Sequence, residues 1–237
     1  MTPSSTFTPA LAHPLHAPHL AVQPGSRVQR LLLAGGATGP VLFAAAYTLE
    51  GLARPGYDPA RETISALSLG SDGWLQVANF IVFGLLSILS APAWRAALAP
   101  GRGAAAIPIA KVAIGMGLIL AGIFDTAPAD AAVVELGGIL HNIASCVALG
   151  ATWVSTFLFA ARFAREPGWR WWAVVAVISG AAAILLLAGL GIATTHHTNV
   201  GVFERLASLP TVAFSLAVAV RVLARRGRVS LDGERRL

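Results

Sequence analysis

Three histidines, several carboxylates and one arginine carry most of the chemistry this sequence could do: His141, His196, His197, Asp125, Glu62, Glu204 and Arg205. Imidazole nitrogens and a carboxylate oxygen are zinc donors, and three such ligands beside an open fourth position can activate a water. On that reading His141, His196, His197 and Asp125 hold the metal, and Ser65 or Ser145 serves as nucleophile or orienter. The protein would then be a metal-dependent hydrolase. A second reading needs no cofactor. Glu62, Ser65, Asp125, His141, Ser145, Glu204 and Arg205 line a polar pocket for a small polar ligand or lipid headgroup. A third makes Glu204-Arg205 an internal ion pair and His141 a helix-packing hydrogen-bond donor, in a structural or assembly subunit. His141 and Ser145 stand at i, i+4, which is one face of a helix. His196 and His197 are adjacent and point apart on most backbones, so at most one of them ligates. No HExxH motif occurs. The pocket reading is preferred.

The elements that must hold these residues are apolar. Of 237 residues 56% are hydrophobic and 12% are charged; a soluble domain carries about 25% charged residues to wet its surface. Six apolar segments, at about 29–52, 74–98, 107–124, 136–160, 170–193 and 201–223, are each long enough to cross a hydrocarbon core of about 30 Å. Backbone amides in lipid need internal partners, so the segments are helices. A β-barrel would need alternating ten-residue segments, and none is present. The fold class is an all-α membrane protein with six transmembrane helices over 28–224. A proline-containing tail, 1–27, precedes them and reads as disordered; a basic tail, 225–237, follows. The one cysteine, Cys146, excludes an internal disulfide and any cysteine-based zinc cluster.

Orientation follows from the basic residues. With the N-terminus inside, 14 of the 17 fall on the inner side and only Arg54, Arg61 and Arg205 fall outside. That asymmetry places both termini in the cytoplasm. The net charge of +6 is thus a topology signal and not a nucleic-acid footprint. The partner is the bilayer. On this topology Glu50, Asp58, Glu62, Asp72, Asp125, Asp130, Glu135 and Glu204 gather at the outer face with His141, His196 and His197. Trp74 and Trp94 bracket the second helix and Trp169, Trp171 and Trp172 open the fifth, as interface anchors do.

The first outer loop is patterned. Asp58-Pro59 suits a helix start and Gly70 a stop, with Ile64 and Leu67 on one side between them. A short interfacial helix of about three turns is expected there, and Ser71 or Asp72 then caps the second transmembrane helix. Gly35-x-x-x-Gly39 suits a close helix contact, internal or between two copies, with internal packing the plainer reading. His13, His16 and His19 recur every third residue, which would align them on a polyproline helix able to bind a metal; an incidental low-complexity tail is the plainer explanation.

Five short motifs recur in order: Ile64-Ser65-x-Leu67 with Gly70-x-x-Gly73-Trp74, Asn79-Phe80 with Gly84, Gly122-Ile123-Phe124-Asp125 with Pro128, Gly138-x-x-His141, and Glu204-Arg205. Their order and placement resemble the bacterial membrane proteins catalogued as domain of unknown function 998, over about residues 30–222. The resemblance implies a six-helix integral protein of the bacterial inner (plasma) membrane and no established reaction. It singles out Ser65, Asp125, His141, Glu204 and Arg205, which fall on the motif positions. His196 and His197 do not.

Overall fold

The computed structural model describes residues 25–128, 133–196 and 198–234, with side chains to residue 224. The tail histidines, Asp130 and His197 lie outside these. Six helices run α1 (Arg27–Ala53), α2 (Trp74–Leu98), α3 (Ala106–Ile123), α4 (Leu136–Phe163), α5 (Arg170–Thr195) and α6 (Val200–Glu234). Each has a stretch long and apolar enough to cross a membrane. No strand occurs among the described residues. Neighbours in sequence are neighbours in space, and α6 returns to pack on α1, so the six close into a ring.

Local chemistry accounts for the ends and the close approaches. A capping box starts α1: Ser26 Oγ accepts from the Gln29 amide at 3.2 Å, and Gln29 Oε1 accepts from the Ser26 amide at 2.9 Å. Small residues let backbones touch where lipid offers no hydrophobic drive to associate. A Cβ on Gly84 would lie 2.6 Å from the Gly115 carbonyl oxygen, and one on Gly36 would lie 2.4 Å from Ser90 Cβ. The Gly35–Gly39 segment is therefore an internal contact of α1 on α2, as its spacing suggested.

The largest cluster of buried side chains sits at the end where α1 begins. Leu33, Trp94, Leu98, Ile107, Phe159, Phe163, Trp169, Phe214 and Val222 meet there. We call this the arginine end. Trp94 and Trp169, expected as interface anchors, are 4% and 1% exposed. Trp94 meets Phe159 edge-on at 5.1 Å, and Trp169 stacks on Phe163 at 4.5 Å. Trp74 and Trp171 do face outward, at 64% and 69% exposure.

At the opposite end the α1–α2 loop folds over the bundle. Ile64 and Leu67 are buried against Tyr47, as expected from their spacing. The helix carrying them is shorter than predicted, a five-residue 3₁₀ turn over Ile64–Ser68 capped by Thr63. Asp58 caps only the single turn at 59–62, its carboxylate accepting from the Ala60 amide at 2.9 Å. Gly73, which has no capping side chain, stands at the start of α2 in place of Ser71 or Asp72.

Candidate functional site

The loop helix and the start of α6 are joined by a set of polar contacts. The Ile64 amide donates to Glu204 Oε2 at 2.6 Å. Thr63 Oγ1 accepts from the Ala66 amide at 3.2 Å. Between them these two side chains satisfy amides at the start of the loop helix that have no partner within it. Arg205 donates through Nη1 to the Glu62 carbonyl at 3.2 Å and to the Gly201 carbonyl at 3.0 Å, and through Nη2 to the Tyr57 hydroxyl at 2.6 Å. Tyr57 in turn donates to the Thr63 carbonyl at 2.9 Å. The chain has two tyrosines, and the Arg205 guanidinium lies 5.4 Å from the Tyr47 ring centre and 5.9 Å from that of Tyr57. Burial pushes the Tyr57 phenol above its ordinary pKa, while the hydrogen bond and charge of Arg205 oppose the shift.

Gly201 makes this approach possible. A Cβ there would lie 2.2 Å from the Glu62 carbonyl oxygen and 2.4 Å from that of Pro59. The Val202 amide donates to the Ala60 carbonyl at 3.2 Å alongside it. Arg54 adds a further tie, donating to the Leu69 carbonyl at 3.0 Å while pairing with Glu50 at 2.7 Å. Glu204 and Arg205 do not pair with each other: the ion pairs within 4 Å among the described residues are Glu50–Arg54, Asp58–Arg61 and Arg162–Glu166. The internal ion pair anticipated for Glu204-Arg205 is thus replaced by two separate ties to the loop. Consecutive residues on a helix do not face each other, so one reaches the loop helix and the other reaches Tyr57 and Glu62.

A second group lies beside the first, around the turn after α3. His141 is 2% exposed. Its Nδ1 is 2.7 Å from the Ala121 carbonyl oxygen and 3.1 Å from that of Phe124, and its ring meets Phe80 edge-on. Only a protonated Nδ1 can donate to those carbonyls, which belong to the unsatisfied last turn of α3. His141 therefore holds α4 against the end of α3. In front of it an open cleft of about 420 Å³ is lined by Ile123 to Pro128, Val133, Glu135, Gly137 and Gly138. Asp125 and Glu135 are exposed here. Ser65 connects the two groups, 3.5 Å from Thr126 Oγ1 and 3.2 Å from Thr63 Oγ1.

The anticipated residues thus divide. Glu62, Glu204 and Arg205 come together at the loop helix, Ser65 joins them to the cleft, and Asp125 lines the cleft with His141 behind it. Ser145 is half-buried one turn along α4 from His141. His196 is exposed as the cap of α5, and His197 lies outside the described residues. Among the described residues no three His, Cys, Asp or Glu side chains come together as metal ligands. Sequence reasoning missed Tyr57, Tyr47 and Gly201. The two tyrosines were the available signal, since buried phenols need hydrogen-bond partners.

Six apolar spans closed into a ring, with a folded loop over one end, define a multi-pass helical membrane protein. Residues 37–221 match the family described as "Protein of unknown function (DUF998)", and the chain belongs to that family. No curated protein and no solved structure matches the chain.

Proposed function

We propose that this protein binds a small polar ligand or lipid headgroup in the cleft formed by the α3–α4 turn and the start of α4. The observation that carries the reading is the cleft itself, open at one end of the bundle, of headgroup size and with polar walls. Its described lining holds two carboxylates, Asp125 and Glu135, together with Thr126 and no basic side chain. That lining favours a ligand offering an ammonium or hydroxyl groups, as an ethanolamine or polyol headgroup does. Glu204, Arg205 and His141 do not line it; their polar atoms are engaged with the protein's own backbone. By the arginine asymmetry the cleft faces away from the cytoplasm, in a bacterial plasma membrane with both termini inside.

The test is a melting-temperature series on detergent-purified protein with ethanolamine, choline, glycerol and their phosphorylated forms. At least one should raise the melting temperature of the wild type. Asp125→Asn with Glu135→Gln should abolish that rise while leaving the unliganded protein folded. A rise that survives both changes, or no rise with any compound, would sink the reading.

The contacts of Glu204 and Arg205 favour a second reading, in which this end of the bundle is an assembled surface and not a receptor. Glu204→Ala would then lower the melting temperature with no compound restoring it. The hydrolase reading requires zinc at near-stoichiometric content in the purified protein, lost in His141→Ala and His196→Ala/His197→Ala.

A further inference from the structure

At the arginine end a second cleft, of about 430 Å³, is lined by Arg102, Gly103, Leu158, Ala161, Arg162 and Arg165. Its construction differs from a scatter of surface arginines. Arg162 is 4% exposed and held from two sides. Its Nε lies 2.7 Å from Glu166 Oε1, and its Nη1 donates to the Leu98 carbonyl at 2.8 Å and the Arg102 carbonyl at 2.9 Å. These contacts fix the guanidinium and leave Nη2 without a hydrogen-bond partner among the described residues. Gly101 keeps the loop tight against it, since a Cβ there would lie 2.8 Å from Nη1.

Arg102 and Arg165 flank this fixed group from the α2–α3 loop and the end of α4, and both are exposed. Arg165 spends one N–H on the Ala161 carbonyl at 2.9 Å; Arg102 makes no side-chain hydrogen bond or ion pair with a described residue. Glu166 offsets one of the three positive charges, so the cleft stays cationic. Its remaining wall is apolar. Leu158 stands one turn from Val154, which is 55% exposed on the outer surface of α4. A cationic pocket that opens onto an apolar strip at the end of a transmembrane helix matches a phosphate joined to acyl chains.

We infer that the Arg102–Arg162–Arg165 cleft is a binding site for the phosphate of an anionic phospholipid, with its acyl chains lying along α4 past Ala161 and Leu158. The inference does not rest on the cleft at the opposite end. Arg102 and Arg165 supply free guanidinium donors, and the preset Arg162 supplies the fixed one.

Binding to full-length protein in neutral detergent, read by native mass spectrometry, tests it with phosphatidylglycerol, phosphatidylcholine and inorganic phosphate as probes. Phosphatidylglycerol should bind at least about tenfold tighter than phosphatidylcholine. Arg102→Gln with Arg165→Gln should erase that preference, whereas Arg95→Gln with Arg170→Gln, an equal charge loss at the same end, should keep it. Both pairs change exposed side chains and leave Arg162 intact, so the variants should stay folded. Equal binding of the two lipids, or an equal loss in both pairs of variants, overturns the site. Inorganic phosphate competing as well as phosphatidylglycerol would assign the cleft to a soluble anion and overturn the lipid. The comparison of the three probes on the wild type decides the matter even if a variant is lost.

Discussion

The two ends of this bundle bury charge in opposite ways. At the arginine end the ionic group is local. Arg162 and Glu166 are four residues apart, their side chains 3% and 6% exposed, and sit beside stacked aromatic rings. Arg221 covers the stack, its guanidinium 4.7 Å from the Trp169 ring centre and 5.1 Å from that of Trp172, and it donates to the Gly168 carbonyl at 2.9 Å. At the loop-helix end Glu204 and Arg205 reach to backbone groups about 140 residues away in sequence. The first arrangement makes helix ends rigid by closing a charge inside a core. The second fastens a separate flap through hydrogen bonds to its backbone. A charge closed inside a core is costly to break, whereas a fastened flap can be released while the bundle stands.

The largest effect should come from breaking the local pair. Glu166→Ala leaves Arg162 buried without its anion and should cost about 3–5 kcal/mol. Chemical denaturation in mixed micelles would read it, and a loss below about 1 kcal/mol would mean that the core tolerates the bare charge. Next comes Gly201→Val, whose side chain would overlap the Glu62 and Pro59 carbonyls. It should destabilise by about 1–3 kcal/mol. Hydrogen exchange should rise over 57–69 and stay unchanged around 158–172. A uniform rise across both ends would erase the distinction drawn between them.

The smallest effect is expected from Tyr57→Phe, which removes one hydroxyl and should cost about 1 kcal/mol. It also sharpens the comparison through pH. The folded phenol titrates above its ordinary value, so its share of stability is present below about pH 10 and is lost as pH rises through the folded value. Exchange protection of the loop helix should therefore fall in strong alkali, and Tyr57→Phe should remove that component. An alkaline loss of the same size in the variant would assign it elsewhere.

Much of this was legible in the residues. Apolar length placed the six spans to within a few residues, although α6 runs on to Glu234, past the expected end at 223, and the i, i+3 spacing of Ile64 and Leu67 told which side of the loop is buried. What escaped depended on partners distant in sequence. Thr63 supplants Asp58 as the cap because Glu204, from the last helix, satisfies the amide beside it. Trp169 looks like an interface anchor from its place before α5, yet Phe163 and Arg221 take it inside. Arg162 and Glu166 were readable by their i, i+4 spacing, but the charge count had already classed arginines at that end as topology signals. For the candidate cleft, Asp125 and Glu135 stood among the outer-face acids, whereas Thr126 carried no signal of its own. His141, weighed as a zinc ligand, spends its Nδ1 proton on the end of α3.

The bond between the Ile64 amide and Glu204 also orders events in time. During synthesis at about 5–20 residues per second, 140 residues take roughly 7–28 s to emerge. The α1–α2 loop must therefore wait through the making of four more helices before its fastening exists. The Arg162–Glu166 pair is complete within a second of its first member. The ion pair at one end forms as it is made, whereas the flap at the other is fastened only by the last span.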